Sequence, residues 1–223
     1  MTDNVESLIE AAIFPIPGCV VFPGMTFPLH VFEPRYRTMV KDCVSQNRPL
    51  AVAHTQKVVS VPKRDNETDA LTSNQATYKP FAVFSAGDCE IVETFSDGRM
   101  RVDVHVNQRL SLITEKQTLP YLIGECKPVP DRQLAAGELT EAQRLQAEVV
   151  RRLLALVRQF PQQLASIKTV LEQEQWQDKT PEAFSFAIFR LIQIDAPVQQ
   201  KILESTSPIE RLSITLEVLE LSS

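Results

Sequence analysis

A chain of 223 residues with 43% hydrophobic and 23% charged side chains can bury one large core or two smaller ones, and its composition excludes disorder throughout. Its formal charge of -5 gives a field that repels phosphate backbones, so nucleic acid is disfavoured as a partner. The acidic start, Met1–Glu6, is followed by no apolar signal region, and no run approaches the roughly eighteen apolar residues of a membrane span. The expectation is a cytoplasmic protein with no membrane partner.

Taken in chain order, Phe27, Leu29 and Val31 alternate with Thr26, Pro28 and His30, a half-buried strand whose proline suits an edge or a bulge. Pro34 is placed to open a helix. Tyr36, Met39, Val40, Cys43 and Val44 follow at the spacing of one apolar helix face. Leu50–His54 reads as another strand. Residues 62–79 are polar and aperiodic and are expected to form an accessible loop. Val102, Val104 and Val106 alternate with Arg101, Asp103 and His105, behind Glu90–Phe95 and Asp97-Gly98. Asp-Gly between two such runs predicts a hairpin with a type I′ turn.

Near residues 127–140, a polar, proline-containing stretch expected to be accessible, the apolar period changes from that of strands to that of helices. Thr140 with Gln143 predicts a capping box, ahead of Leu145, Val149, Leu153, Leu156 and Phe160 on one side of a helix that Pro161 ends. Leu164, Ile167, Val170 and Leu171 mark a second helical face. Thr180-Pro181 is an N-cap with proline at the first helical position, before Phe184, Ala187, Ile188 and Leu191. Asp195-Ala196-Pro197 starts a short helix through Leu203. Ser207-Pro208-Ile209-Glu210 is a full capping box before Leu212, Leu216 and Leu219. The two halves thus predict an α+β chain, strands first and helices after.

Chemistry-bearing residues are sparse. His30, His54 and His105 stand alone, with no metal-ligand spacing, and read as surface or strand-edge histidines. Cys19, Cys43, Cys89 and Cys126 form no C-x-x-C pair and read as reduced, mostly buried thiols. No G-x-x-x-x-G-K-[ST] phosphate loop is present. Glu33-Pro34-Arg35-Tyr36-Arg37 is the one charged cluster that tempts as a recognition site, though a structural role for its ions is the more economical reading. Glu172 and Glu174 read as a solvated helix face, and Trp176 as a buried plug in the helical half.

In order, Ile13-Phe14-Pro15-Ile16-Pro17-Gly18-Cys19-Val20-Val21-Phe22-Pro23-Gly24-Met25, Phe27 to Tyr36, Gly87 with Ile91, Asp97-Gly98-Arg99 and Pro120-Tyr121-Leu122 resemble successive landmarks of the Lon protease N-terminal (substrate-binding) domain family. Gln200, Leu203-Glu204 and Glu210-Arg211-Leu212 resemble its terminal helical segment. The chain departs from the family at Asn107, where glycine is common before the arginine that stands here as Arg109. The resemblance implies a β-rich PUA-like pseudo-barrel over 1–127 followed by an α-helical bundle over 128–223. It further implies a stand-alone, non-enzymatic polypeptide-binding protein without ATPase or peptidase modules, an adaptor or chaperone-like binder in protein quality control. The implied partners are unfolded or exposed polypeptide segments, with a protease or chaperone as a further candidate. No catalytic residue, metal or cofactor is expected, and the contact residues are not identified by the sequence. An RNA-binding PUA-like protein and a small Cys/His hydrolase are the rival readings.

Overall fold

A computed structural model describes residues 8–60 and 77–221 of the chain, which divides into two compact units, Met1–Val129 and Pro130–Ser223. The first unit carries strands β1 (Ile9–Pro15), β2 (Thr26–Val31), β3 (Leu50–Ala53), β4 (Thr55–Ser60), β5 (Thr77–Pro80), β6 (Val83–Thr94), β7 (Met100–Gln117) and β8 (Leu122–Pro128), with helix α1 (Pro34–Gln46). Six strands form one sheet in the order β2-β7-β6-β3-β1-β8, and β7 also pairs with β8. Strands β7, β6, β3, β1 and β8 therefore make a closed ring, which leaves β2 as the edge strand on β7. That position tolerates Pro28, which has no N–H to donate.

Strand β7 closes the ring because its 18 residues serve three neighbours. Its first half pairs with β2 and β6, and its second half with β6 and β8. The change of direction falls at Asn107. Ala86 faces Gln108 while Gly87 faces Val106, so Asn107 is the extra residue of a β-bulge. The family's common glycine at this position points to left-handed backbone, but Asn107 is not among the described residues with positive φ. The bend comes from the bulge, and Gly87 permits it. A Cβ on Gly87 would lie 1.9 Å from the His105 carbonyl oxygen, a backbone atom with no room to yield. Further register shifts near Val92 and Ile113 go with the 43% and 51% exposure of these two aliphatic side chains.

Because β1 and β3 are covered on both faces, their alternate residues enter two cores. Ala11, Ile13, Ala51 and Ala53 join Phe84, Ala86, Leu110 and Cys126 inside the ring, to which all five ring strands contribute. Four of these are alanines, as the interior of a small barrel requires. Ala12, Leu50 and Val52 face outward with Val102, Val104 and Val106 onto Tyr36, Met39, Val40 and Cys43 of α1. The expected face of α1 is correct except at Val44, which is 43% exposed.

The hairpin at Asp97-Gly98 forms, but its turn is not type I′. Gly98 has φ +86° while Asp97 does not share a positive φ, and the Gly98 N–H donates to the Phe95 carbonyl at 2.9 Å. The Phe95 N–H in turn donates to the Arg99 carbonyl at 2.9 Å. This is a three-residue loop, a turn over Ser96-Asp97 followed by a glycine bulge. The Asp97 carboxylate accepts from the Arg99 N–H and side chain, which selects this geometry over the two-residue turn. Of the expected loop 62–79, residues 62–76 lie outside the described residues, and Thr77, Tyr78 and Lys79 belong to β5.

The second unit holds α2 (Ala136–Gln159), α3 (Ala165–Leu171), α4 (Glu174–Gln177), α5 (Pro181–Ala187) continued by a 3₁₀ turn (Ile188–Arg190), α6 (Ala196–Glu204) and α7 (Pro208–Leu221). Helix α2 begins four residues before the expected Thr140 cap. Glu138 reaches back to the Ala135 N–H at 3.0 Å and also holds Arg132 through both carboxylate oxygens, so this ion-paired cap outcompetes Thr140. The Thr140 hydroxyl only bonds back to the Ala136 carbonyl. The buried stripe runs Ala142, Leu145, Val149, Leu153, Val157; the expected Phe160 lies past the helix end and is 50% exposed. The Thr180 cap on the Ala183 N–H is present at 3.4 Å. The box at Ser207 is half formed. Its hydroxyl caps the Glu210 N–H, but Ser205 stands between the Glu210 carboxylate and the Ser207 N–H and bonds to both.

Most residues of the stretch 127–140 are exposed, and Asp131 and Arg132 anchor it, which its polarity alone does not reveal. Arg211 on α7 is fully buried and binds both oxygens of Asp131 at 2.7 and 2.6 Å. It also donates to Ser185 at 2.9 Å and to the Ser205 carbonyl at 3.0 Å, and its guanidinium lies 3.9 Å from the centre of the Phe186 ring. The Arg132 N–H donates to the Thr206 carbonyl.

Two consequences are measurable by denaturant unfolding. Gly98→Val is expected to cost about 1–3 kcal/mol, since a β-branched residue is strained at this φ, while Gly98→Asn costs less. An unchanged midpoint for the valine variant would rule out the left-handed glycine. Arg211→Met removes the guanidinium that holds both oxygens of the Asp131 carboxylate and is expected to cost about 3–5 kcal/mol, much of which the double change with Asp131→Leu restores. Equal losses in the single and double variants would show that the pair is not the source of the effect.

Candidate functional site

Two clefts lie side by side on the first unit, of about 300 and about 340 Å³. They share Pro15, Tyr36 and Tyr78 as a common wall. Proline-rich sequence builds this wall: Pro15 ends β1, Ile16 and Pro17 lead away from the ring, and Pro34 starts α1 so that Tyr36 points under both clefts. Tyr36 is 7% exposed and stacks on Phe14 at 4.1 Å between ring centres. Burial pushes its phenol up to about 12, so it stays neutral and acts as an aromatic floor.

The cluster Glu33-Pro34-Arg35-Tyr36-Arg37 is brought to this place, and its ions are structural. Arg35 and Glu33 are both nearly buried and pair at 2.9 Å. The Arg35 guanidinium also donates to the Thr77 hydroxyl at 3.0 Å and lies 4.5 Å from the Tyr36 ring centre. It thus fastens β5 to the start of α1 and sets the depth of the cleft between them. Arg37 instead points to the hairpin, where its guanidinium approaches the Asp97 carbonyl at 3.5 Å. Tyr121, on the far wall of the first cleft, donates to Asp42 at 2.6 Å, and burial together with that carboxylate raises its phenol to about 12.

The rims are apolar and open. Val59 is 61% exposed and lines the first cleft. Leu119, 80% exposed, sits between two residues of its wall, Thr118 and Pro120, and Phe32, 37% exposed, lines the second. Strands β4 and β5 pair only with each other among the described residues, which leaves an outer edge on this two-stranded ribbon. Apolar sockets with a strand edge beside them can take the side chains and the main chain of an extended polypeptide. These rim side chains are the candidates for the contact residues that sequence reading leaves unidentified. Only the proline spacing of residues 15–34 hints at them beforehand, because Val59, on the β4–β5 ribbon, and the Thr118–Pro120 stretch join Tyr36 at one cleft only in the folded chain.

The three histidines are not brought together. His30 stacks on Phe95 and His105 lies 3.6 Å from Glu90, both on the surface. His54 stacks on Phe81 and accepts the Gly18 N–H at 3.1 Å, holding the loop after β1. Burial lowers its pKa, partly offset by a hydrogen bond with the Ile16 backbone. No group of three or more metal-ligating side chains is found among the described residues. The four cysteines are free thiols. Burial pushes Cys19 and Cys126 up to about 11, away from the thiolate that a nucleophile needs. The Cys43 thiol is raised by its hydrogen bond with Cys89 and by burial. No helix is long and apolar enough to cross a membrane among the described residues.

Among known proteins, the chain is 23% identical over 215 residues to Lon protease 1 of Herpetosiphon aurantiacus, covering 94% of this chain and 24% of that protein. It is 24% identical to protein cereblon of Danio rerio, covering 98% of this chain and 56% of that protein. The chain thus spans from about a quarter to about half the length of these curated relatives. The fold is that of the N-terminal domain of Mycobacterium avium complex Lon protease, with a TM-score of 0.66 at 14% identity, covering 95% of this chain and 98% of that one. The family model for the ATP-dependent protease La (LON) substrate-binding domain matches residues 10–220, and the chain belongs to that family.

Proposed function

We propose that this chain is a non-catalytic binder of unfolded or exposed polypeptide, an adaptor or chaperone-like protein, and that the twin clefts of the first unit are where it binds. The observation that carries the reading is the pair of apolar, aromatic-floored sockets rimmed by Val59, Leu119 and Phe32, beside an open strand edge, in a chain of a substrate-binding family. Such a surface reads main chain and generic apolar side chains, so it tolerates many sequences and binds each one weakly. A protease or another chaperone is the natural recipient of what it holds. RNA fits this surface less well, because lysine and arginine are sparse on the clefts: Arg35 and Lys79 line the first, neither type lines the second, and Arg35 is taken up by Glu33. A phosphate track needs cations free to release counterions.

Fluorescence anisotropy with a reduced, carboxymethylated protein as the unfolded probe tests this. Binding is expected at micromolar or weaker dissociation constants, about -8 kcal/mol or less favourable, with little salt dependence and little affinity for the same protein when native. Val59→Glu and Leu119→Glu change exposed positions and are expected to weaken it about tenfold each without lowering stability. Tight, salt-sensitive binding of a short RNA with none of the unfolded probe overturns the reading.

Acid is expected to weaken the fold around the loop after β1. Neutral His54 accepts the Gly18 N–H; the protonated ring cannot. Its folded pKa lies below its unfolded value, so its contribution is complete above about pH 6.5 and drains away as pH falls through the folded pKa. The denaturant midpoint should carry a contribution that is level above that pH and declines below it, and His54→Gln should flatten that part of the decline. The same decline in the glutamine variant would assign the effect to another group.

A further inference from the structure

The helical unit carries its own open groove, of about 740 Å³, between α2 and the segment from Leu171 to Phe184. It is separate from the buried stripe of α2. Leu139, Gln143, Gln146, Ala147, Val150 and Leu154 line it at spacings of four, three, one, three and four, a second helical stripe beside the first. From Leu139 to Leu154 this stripe runs about 22 Å along the helix axis. Opposite it stand Leu171, Trp176 and Phe184, with Trp176 edge-on to Phe184 at 6.2 Å. Leu139 is 40% exposed, Val150 and Leu154 are half-buried, and the exposed, small Ala147 lies at mid-groove.

Most of the backbone around this groove is already bonded. Its walls are helical apart from Glu172 and Asp178–Thr180; there the Glu172 N–H donates to the Lys168 carbonyl, the Asp178 N–H to the Glu174 carbonyl, the Lys179 carbonyl accepts from Gln146, and the Thr180 carbonyl accepts from Phe184. An extended peptide laid here would bury its own N–H and C=O groups with few partners, at a cost of about 1–3 kcal/mol for each such group. A helix brings its backbone bonds with it. The rim adds a sign. Asp178 and Glu182 have no ion-pair partner among the described residues, Glu172 meets Lys168 at 3.6 Å, and the Lys179 ammonium is drawn 5.5 Å from the Trp176 ring centre. The rim is acidic on balance.

We infer that this groove docks a short amphipathic helix of a partner protein, apolar on one face and flanked by lysine or arginine, at a site independent of the clefts on the first unit. The bound helix completes the bundle along the second stripe of α2, with its apolar face on Val150, Leu154 and Trp176 and its basic flank against Asp178 and Glu182.

The test uses the full chain and a fluorescein-labelled amphipathic leucine–lysine peptide of about four helical turns, the length that matches the stripe. A scrambled peptide of equal composition and a leucine–glutamate counterpart are the controls. The amphipathic basic peptide is expected to bind and gain helicity, the scrambled one to bind at least about tenfold more weakly. Ala147→Arg places a charge at an exposed position inside the groove and should abolish binding while leaving the melting temperature and the binding of unfolded protein unchanged. Asp178→Lys with Glu182→Lys should weaken the lysine peptide and favour the glutamate one. Equal binding of the scrambled peptide, or indifference to Ala147→Arg in folded protein, overturns the inference. So does a concentration-dependent dimer in sedimentation that Ala147→Arg dissolves, since the occupant is then a second copy of this chain.

Discussion

The first unit depends on a single strand having to be two things at once. Over Met100–Val106, β7 is the inner neighbour of the edge strand β2; over Leu110–Gln117 it closes the ring on β8. One straight strand cannot run along both, and the bulge at Asn107 is where it turns. The turn brings the His105 carbonyl so near to β6 that only a residue without a Cβ fits opposite, at Gly87. Once the ring is closed, β1 and β3 are trapped between its interior and α1, and on β3 the residues are small inside, Ala51 and Ala53, and bulkier outside, Leu50 and Val52. The clefts follow from the same closure. It carries the Thr118–Leu122 stretch round to face Pro15 and Tyr36, residues some eighty or more positions earlier in the chain.

Charge is used in both units to fasten segments together. Arg35 and Arg211 are nearly or fully buried, and each holds a carboxylate, a serine or threonine hydroxyl and an aromatic face. A planar guanidinium suits this work because its donors diverge in a fixed fork while its face stays free to stack. Buried pairs of this kind add little net stability over a well-packed apolar equivalent, but removal of one partner strands the other charge. Their benefit is to specify position. Arg35 fixes where β5 meets α1, and so the shape of a cleft; Arg211 fixes the chain at Asp131 against α7.

The two candidate surfaces differ in the backbone that surrounds them, and that difference sets what each can hold. The clefts of the first unit lie beside a two-stranded ribbon with an outer edge, so an extended chain finds main-chain partners as well as apolar sockets. The groove of the helical unit is lined by no strand edge, and its walls are mostly helical, with their backbone bonds made within the helices. One surface therefore suits unfolded polypeptide, whose backbone is unpaired, and the other suits a preformed helix.

Local physics made much of this protein readable in one dimension. The two-residue period of Val102, Val104 and Val106, the proline that starts α1 and the Thr180-Pro181 and Asp195-Ala196-Pro197 helix starts each act within a few residues, and each element lies where its pattern places it. The order of the landmarks was enough to indicate the family. Competition between local signals was not readable. Thr140 with Gln143 is a sound capping box, but Glu138 makes a better bargain with Arg132 and Ala135; Asp-Gly favours a two-residue turn until the Asp97 carboxylate closes on Arg99. The candidate site was hardest to see. Val59, Leu119 and Tyr36 come from distant parts of the sequence with no shared period, and only the closed ring together with the β4–β5 ribbon gathers them around one cleft. Composition and spacing determine which elements form, because hydrogen bonds and apolar faces act locally. Which exposed side chains share a surface is decided by the path of the chain between them, and that path is set by tertiary packing.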